Sequence, residues 1–313
     1  MTHQSRRRFL KSGALAIAGT SLLTRSVFAA AARKKEIAMK KEITGIQLYS
    51  VRDDMKKDPS GTLGKLAAIG YVYVEHANYI DRKFYGYSPK EFRKLLDGNG
   101  LKMRSGHTVM GKEHWVAAKK DFSDSWKYTV EDAAVVGQQF VISPFLDDDM
   151  RTTYDDLLAY MDVFNKSGEL CKKSGMQFGY HNHDFEFSTV LNGKKVFDII
   201  LQHTDPSLVV RQLDMGNLYN GGAKAIDIVR QYPGRFPLMH VKDEILSPTK
   251  GEDKYESTIL GKGIVNTRAV MDLGRKDGGS YYFIIEQESY QGRAPLDTVK
   301  EDLAIIKTWG YAV

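Results

Sequence analysis

Cysteine is almost absent: one residue, Cys171, in a chain of 313. A lone thiol excludes an intramolecular disulfide framework and a thiolate metal cluster, so a bound metal must rest on His, Asp or Glu. Long apolar runs are missing too. The mild run at residues 13–23 is about eleven residues, too short to span roughly 30 Å of hydrocarbon as a helix. A basic body is the third absence. The net charge is +6, but residues 1–29 carry five Lys and Arg with no acid, and residues 30–42 add five bases against two acids. Residues 43–313 are therefore at −2. Nucleic acid is excluded as an expected partner, because a binding face for it needs a basic surface. With 42% hydrophobic and 27% charged residues, the body has ordinary globular composition.

What the N-terminus does contain is an address. Ser5-Arg6-Arg7-Arg8-Phe9-Leu10-Lys11 precedes the mild apolar run and then Val27-Phe28-Ala29. A basic segment, a short apolar segment and a small-residue cleavage site make a signal peptide over residues 1–30, and the paired arginines resemble the twin-arginine type. The expectation is an exported, periplasmic protein with no stable membrane span after cleavage. Residues 31–42 are charged and apolar-poor and read as a flexible tether.

From residue 43 one unit repeats: a short run rich in Val, Ile, Tyr and Phe, a turn, then a helical stretch. Strands are predicted at 43–48, 71–75, 102–107, 139–144, 177–181, 208–214, 237–242 and 281–286. Gly70, Gly100, Gly137 and Gly175 fall at or near helix ends, where a left-handed cap turns the chain. Eight β/α units in about 270 residues predict an α/β protein, a single (β/α)8 TIM barrel over 43–313. A doubly wound sheet is disfavoured because Leu48-Tyr49-Ser50-Val51-Arg52 is not a glycine-rich phosphate loop. The stretch 244–262 is predicted to be irregular and a candidate lid.

A barrel of this kind keeps its chemistry at the carboxyl ends of its strands. Those positions hold Glu75, His107, His181 with His183, Asp214, His240 with Lys242, and Glu286 with Glu288. Pairs two residues apart point to one face if the strand continues. Imidazoles with carboxylates suit one divalent ion such as Mn, Co, Zn or Fe better than Mg. Asp214, His240 and Glu286, with a ligand from the fifth strand, form the candidate cage. Trp115, Trp126, Tyr49 and Tyr79 are candidates for stacking on sugar rings, against core roles.

The runs Tyr180-His181-Asn182-His183-Asp184-Phe185-Glu186-Phe187, Leu213-Asp214-Met215-Gly216-Asn217, Met239-His240-Val241-Lys242-Asp243 and Ile285-Glu286-Gln287 resemble the xylose isomerase-like sugar isomerase/epimerase superfamily. Gly45 to Arg52 and Leu260-Gly261-Lys262-Gly263 are similar to its members as well. The resemblance covers essentially all of 43–313. It implies a metal held by residues of the fifth to eighth strands, with Asp214, His240 and Glu286 matching the last three. The family's fifth-strand Glu is replaced by His181, with His183 as the competing ligand, and Asn217 stands where many sugar epimerases have a histidine.

The implied reaction is proton removal beside a sugar carbonyl, giving an enediolate that is reprotonated at another carbon or face. Glu286 is the leading base, with His183 or Glu75 acting from the other side and Lys242 steadying the enediolate oxygen. His107, Asn217 and Glu288 are the candidate substrate-binding residues. The alternative outcomes are a lyase or glycoside-cleaving enzyme on a keto-sugar, and a non-catalytic sugar-binding barrel. The expected partner is a small carbohydrate; a homo-oligomer is left open.

Overall fold

A computed structural model describes residues 41–248 and 254–312. The expected signal segment, and all but the end of the tether, lie outside those residues. Eight strands form a closed barrel: β1 (Ile43–Gln47), β2 (Tyr73–His76), β3 (Lys102–His107), β4 (Phe140–Ser143), β5 (Gln177–His181), β6 (Val209–Asp214), β7 (Leu238–Val241) and β8 (Tyr282–Ile285). Each pairs in parallel with its neighbours in chain order, and β8 closes on β1 through Ile43↔Tyr282 and Ile46↔Ile285. The (β/α)8 barrel predicted from the alternation is the fold observed.

The helices that return the chain are α1 (Pro59–Ile69), α2 (Pro89–Gly98), α3 (Asp124–Val136), α4 (Tyr154–Lys173), α5 (Val196–His203), α6 (Ala225–Gln231), α7 (Thr267–Leu273) and α8 (Pro295–Thr308). Their starts follow local chemistry. Ser88 and Thr153 cap α2 and α4 in reciprocal boxes with Glu91 and Asp156, satisfying N–H groups that have no partner within the helix. Their ends follow backbone freedom: Gly70, Gly100, Gly137 and Gly175 all adopt positive φ. None of the described helices is long and apolar enough to cross a membrane.

Alternation along the strands sorts residues between two cores. Ile43, Phe140, Ile142, Val210, Leu238, Tyr282 and Ile284 cluster within the barrel. Residues two or four positions further along the same strands share that face, and there the column turns polar: Gln47, Glu75, Gln212, Asp214, His240 and Glu286. The opposite faces, such as Met239, Val241, Phe283 and Ile285, pack outward with residues of the helices. The interior is tight enough to need glycine. A Cβ on Gly179 would lie 2.5 Å from Ile142 Cδ1 and 2.8 Å from Val210 Cγ2.

One expectation is corrected. Part of the stretch 244–262 is strand and not irregular: Asp243–Leu246 pairs antiparallel with Tyr255–Thr258, and among the described residues none of this hairpin lines the cavity over the barrel. The chain is ordered beyond it by Asp243, whose carboxylate accepts from the N–H groups of Gly261, Gly263 and Val265 at 2.8, 3.1 and 3.1 Å. Strand propensity in Tyr255-Glu256-Ser257-Thr258 and this side-chain anchor override the loop-like composition.

Candidate active site

A cavity of about 740 Å³ opens at the carboxyl ends of the strands. His181 and Glu286 line it and, with Asp214 and His240 behind them, each bring one ligand atom into a group whose members all lie within 4.8 Å of one another, and all four are buried. His240 Nδ1 is 3.0 Å from Glu286 Oε2 and 3.8 Å from Asp214 Oδ2, and His181 Nε2 is 3.8 Å from the same Asp214 oxygen. Two ligands on one ion with bonds of about 2.1 Å stand no more than about 4.2 Å apart, so these three separations suit a shared ion. His183 is not in this group. It lies in the loop after β5, its ring 5.2 Å from that of His181, and it faces the cavity.

The fold orients each of these atoms. Asp214 Oδ1 accepts from the backbone N–H groups of Gly216 and Asn217, both at 2.8 Å. Its Oδ2 is buried and has no hydrogen-bond partner, although Lys242 Nζ is 3.2 Å away. A buried carboxylate oxygen aimed at two imidazole nitrogens without a donor is the position a cation fills.

The histidine tautomers are set from below. Gln212 Nε2 donates to Glu75 Oε2 at 2.8 Å, which fixes which end of the amide is oxygen. Its Oε1 lies 2.7 Å from His107 Nε2 and 3.0 Å from His181 Nδ1, so both nitrogens must carry protons. His181 Nε2 then carries the lone pair, facing Asp214 at 3.8 Å with the Asn217 amide Nδ2 donating weakly to it at 3.5 Å. Glu75 Oε1 accepts from Gln47 Nε2 at 2.8 Å and from His240 Nε2 at 2.6 Å, which directs His240 Nδ1 toward Glu286. A carboxylate holding the far nitrogen of a ligating histidine is a recurrent support of metal sites. Gln47 and Gln212 were not singled out from the sequence. The signal available was the two-residue period, since Gln212 precedes Asp214 on one face and Gln47 ends the column of β1.

Glu75, expected as an alternative base, is fully buried beneath His107 and His240 and does not line the cavity. It supports those rings and does not face a substrate. Lys242 is also fully buried, with Nζ 2.9 Å from Glu286 Oε2, Glu288 Oε2 and Asn217 Oδ1 alike. His107, Asn217 and Glu288 line the cavity. Tyr49 and Tyr79 line it as well, whereas Trp126 is a core residue donating to Ser167 Oγ and Trp115 packs on Phe122.

Electrostatics divide the site. Burial disfavours charge on Glu286, but Lys242 and His240 outweigh it and hold its carboxyl well below the usual range. Burial likewise opposes the charge of Lys242, and Asp214, Glu286 and Glu288 more than restore it, so it stays an ammonium. Burial opposes charge on His240, yet Glu286 and Glu75 raise it to about 10. Burial, then the neighbouring His240 and His107, push His181 well down, which keeps its lone pair free. Burial and Lys242 lower His183 to about 4, a neutral imidazole at neutral pH.

Comparison with known proteins places these features in a wider set. A family model described as xylose isomerase-like TIM barrel matches residues 63–309. An inosose dehydratase of Clostridium perfringens is 25% identical over 157 residues, which are 47% of this chain and 52% of that protein. The chain thus spans about half the length of that curated relative. An inosose dehydratase of Geobacillus thermodenitrificans is 23% identical over 249 residues, covering 72% of this chain and 80% of its own. The crystal structure of a sugar phosphate isomerase/epimerase from Parabacteroides distasonis superposes with a TM-score of 0.73 at 26% identity, over 86% of this chain and 95% of that one. The IOLI protein with a bound zinc atom shares the fold, with a TM-score of 0.66 at 13% identity, over 86% of this chain and 99% of its own.

Proposed function

The chain belongs to the xylose isomerase-like TIM barrel family, and from that premise we propose that it is a metal-dependent sugar isomerase or epimerase that transfers a proton beside a carbonyl. The observation that carries this reading is the buried Asp214 Oδ2, which has an ion pair to Lys242 at 3.2 Å but no hydrogen bond, set among His181, His240 and Glu286. A divalent ion of borderline character (Mn, Co, Zn or Fe), when bound by these four residues, supplies Lewis-acid polarisation of the sugar's carbonyl and neighbouring hydroxyl.

The remaining work falls to the chain itself. Glu286, kept ionised by Lys242 and His240 and open to the cavity, takes the proton from the acidified carbon. His183, a neutral imidazole that lines the cavity, is the second group able to exchange a proton with the enediolate. Asn217, Glu288 and His107 line the same wall and supply hydrogen bonds to hydroxyls. Lys242 acts through Glu286, Glu288 and Asn217, fixing their charge and orientation as negative charge develops on the sugar. Return of the proton to another carbon or to the other face completes an isomerisation or epimerisation.

A second reading has its own support. The inosose dehydratases similar to this chain favour loss of a β-substituent from the same enediolate, which makes a lyase. The metal-loaded protein in deuterium oxide, offered a panel of keto-sugars, separates the two. Solvent deuterium in a stereoisomeric product supports the isomerase; a product lacking the β-substituent supports the lyase. Absence of both exchange and product across the panel, with metal bound, would falsify enediolate chemistry. Residues 5–11 further support a proposal of export by the twin-arginine route.

A further inference from the structure

The ligand group occupies one end of the cavity only. Beyond His107, whose ring stands 4.9 Å from that of His181, the lining also includes residues 77–82, Thr108, Val109 and the α3 side chains Ser125, Tyr128 and Thr129. Even at a full water's share of about 30 Å³ for each non-hydrogen atom, generous for bonded atoms, the twelve atoms of a hexose need about 360 Å³. The cavity holds about 740 Å³. A single ring leaves half of it unfilled.

The unfilled lobe has a distinctive wall. Among the described residues, eight large apolar side chains are exposed, and four of them line this cavity: Tyr49 (43%), Ile80 (62%), Val109 (39%) and Tyr128 (38%). Single exposed apolar residues are ordinary, but four gathered at one mouth mark a surface that something covers. The wall is also held still. Tyr79–Ile80 pairs with Lys83–Phe84, and the two linking residues, Asp81 and Arg82, both sit in the left-handed region at φ 50° and 61°. Two such residues make the tight hairpin turn that glycine or asparagine usually provides. Arg82 is fastened there by a bidentate pair to Asp132, at 2.9 and 2.8 Å, and its guanidinium lies 4.1 Å from the centre of the Tyr128 ring. Tyr79 Oη donates to the same carboxylate at 2.7 Å. The cation at this wall is therefore engaged with Asp132, and what the lobe offers a ligand is aromatic and aliphatic surface beside hydroxyl groups.

We propose that this lobe is a second subsite, which takes a ring joined through a glycosidic oxygen to the sugar held at the ligand group. The inference rests on the sugar reading given above and concerns what is bound, not whether the second ring departs. Arg82 covers one face of Tyr128 and Arg52 one face of Tyr49, so a sugar ring turns an apolar C–H face to the other face of either ring, and a flat aromatic aglycone stacks on the same surface; both belong to one class, a glycoside.

The test uses the full-length, metal-loaded protein and calorimetric titration. Its probes are D-glucose and D-galactose, their phenyl β-glycosides, and the disaccharides cellobiose and lactose. At least one glycoside is expected to bind about tenfold more tightly than its free hexose, the effect of covering one ring face. Tyr128→Ala and Ile80→Ser should each remove most of that gain and leave hexose affinity and metal content unchanged. A gain confined to phenyl glycosides identifies a flat aglycone, and one confined to disaccharides identifies a second sugar. Equal binding of hexoses and glycosides, or a gain that survives both substitutions, overturns the subsite and leaves the sugar reading standing. Failure of every probe to bind at full metal occupancy, with the keto-sugars of the exchange panel titrated beside them and also failing, overturns the sugar reading itself, and the subsite with it.

Discussion

Replacing Gln212 by Met keeps the length of the side chain and removes both ends of its amide. In the native protein that amide makes three hydrogen bonds with buried groups, at 2.8 Å to Glu75 and at 2.7 and 3.0 Å to His107 and His181. Each buried polar group left without a partner costs about 1–3 kcal/mol. Relaxation and the second partners of Glu75 reduce the sum, so a stability loss of about 3 kcal/mol is expected. The more specific consequence concerns His181. Without Gln212 Oε1 to receive a proton from Nδ1, the ring is free to carry its proton on Nε2, the atom that faces Asp214. Loss of such outer support lowers metal affinity about 10–100-fold. Competition for zinc against a chromophoric chelator measures the affinity, nitrogen-15 shifts of the histidine rings report the tautomer, and urea unfolding gives the stability. Gln47→Met is the control: its amide also donates to Glu75 and accepts from Tyr49 N–H, but touches neither His107 nor His181. It should lower stability with a far smaller change in affinity. Should Gln212→Met leave the His181 tautomer and the zinc affinity at native values, the supporting role assigned to this amide is wrong.

Three further outcomes are expected. Asp214→Ala should lose metal and activity together, whereas Lys242→Met should bind metal at least as tightly, because a competing cation is gone, while turnover falls; elemental analysis beside a rate assay would expose a reversal of either. Away from the site, burial raises the Asp302 carboxyl to about 7 from the ordinary 3.8. The folded state therefore holds a proton that the unfolded state has released, so stability falls as pH rises from 3.8 to about 7 and the cost persists above that. Asp302→Asn should accordingly stabilise the protein at pH 8 and be near neutral at pH 3, and equal melting shifts at both pH values would contradict the assignment. Arg6→Lys with Arg7→Lys should leave precursor in the cytoplasm, and unchanged export would exclude the twin-arginine route.

Much of the barrel was legible in the residues. Lys102–His107 and Gln177–His181 begin and end where their composition says, because β-rich runs there meet clear turn residues. The second strand was harder to bound: Tyr71 and Val72 have strand propensity, yet the ladder starts at Tyr73 and runs on to His76, whose ring packs edge-on against Phe84. The small hairpins over the barrel mouth, two residues to a strand at Tyr79–Ile80 and Trp115–Val116, carry too little period to be read. Asp243–Leu246 was hidden by its acids, since Asp243 is spent on anchoring backbone groups 18 to 22 residues away.

The sequence by itself determined the alternation of strand and helix, and with it the face on which Asp214, His240 and Glu286 would stand at successive strand ends. Those are local properties, set by the two-residue period and by which residues tolerate a strand. Closure decided the rest. Glu75 meets His240 across 165 positions of chain and Gln212 across 137, contacts that exist only because the barrel brings β2, β6 and β7 to face one interior. No local preference marks Glu75 as a support for His240 and not as a base, or His181 and not His183 as the ring beside Asp214. Which nitrogen bears a proton, and which carboxylate oxygen is left without one, follows from distances of about 3 Å between strands far apart in sequence. Those distances are set by the tertiary packing alone.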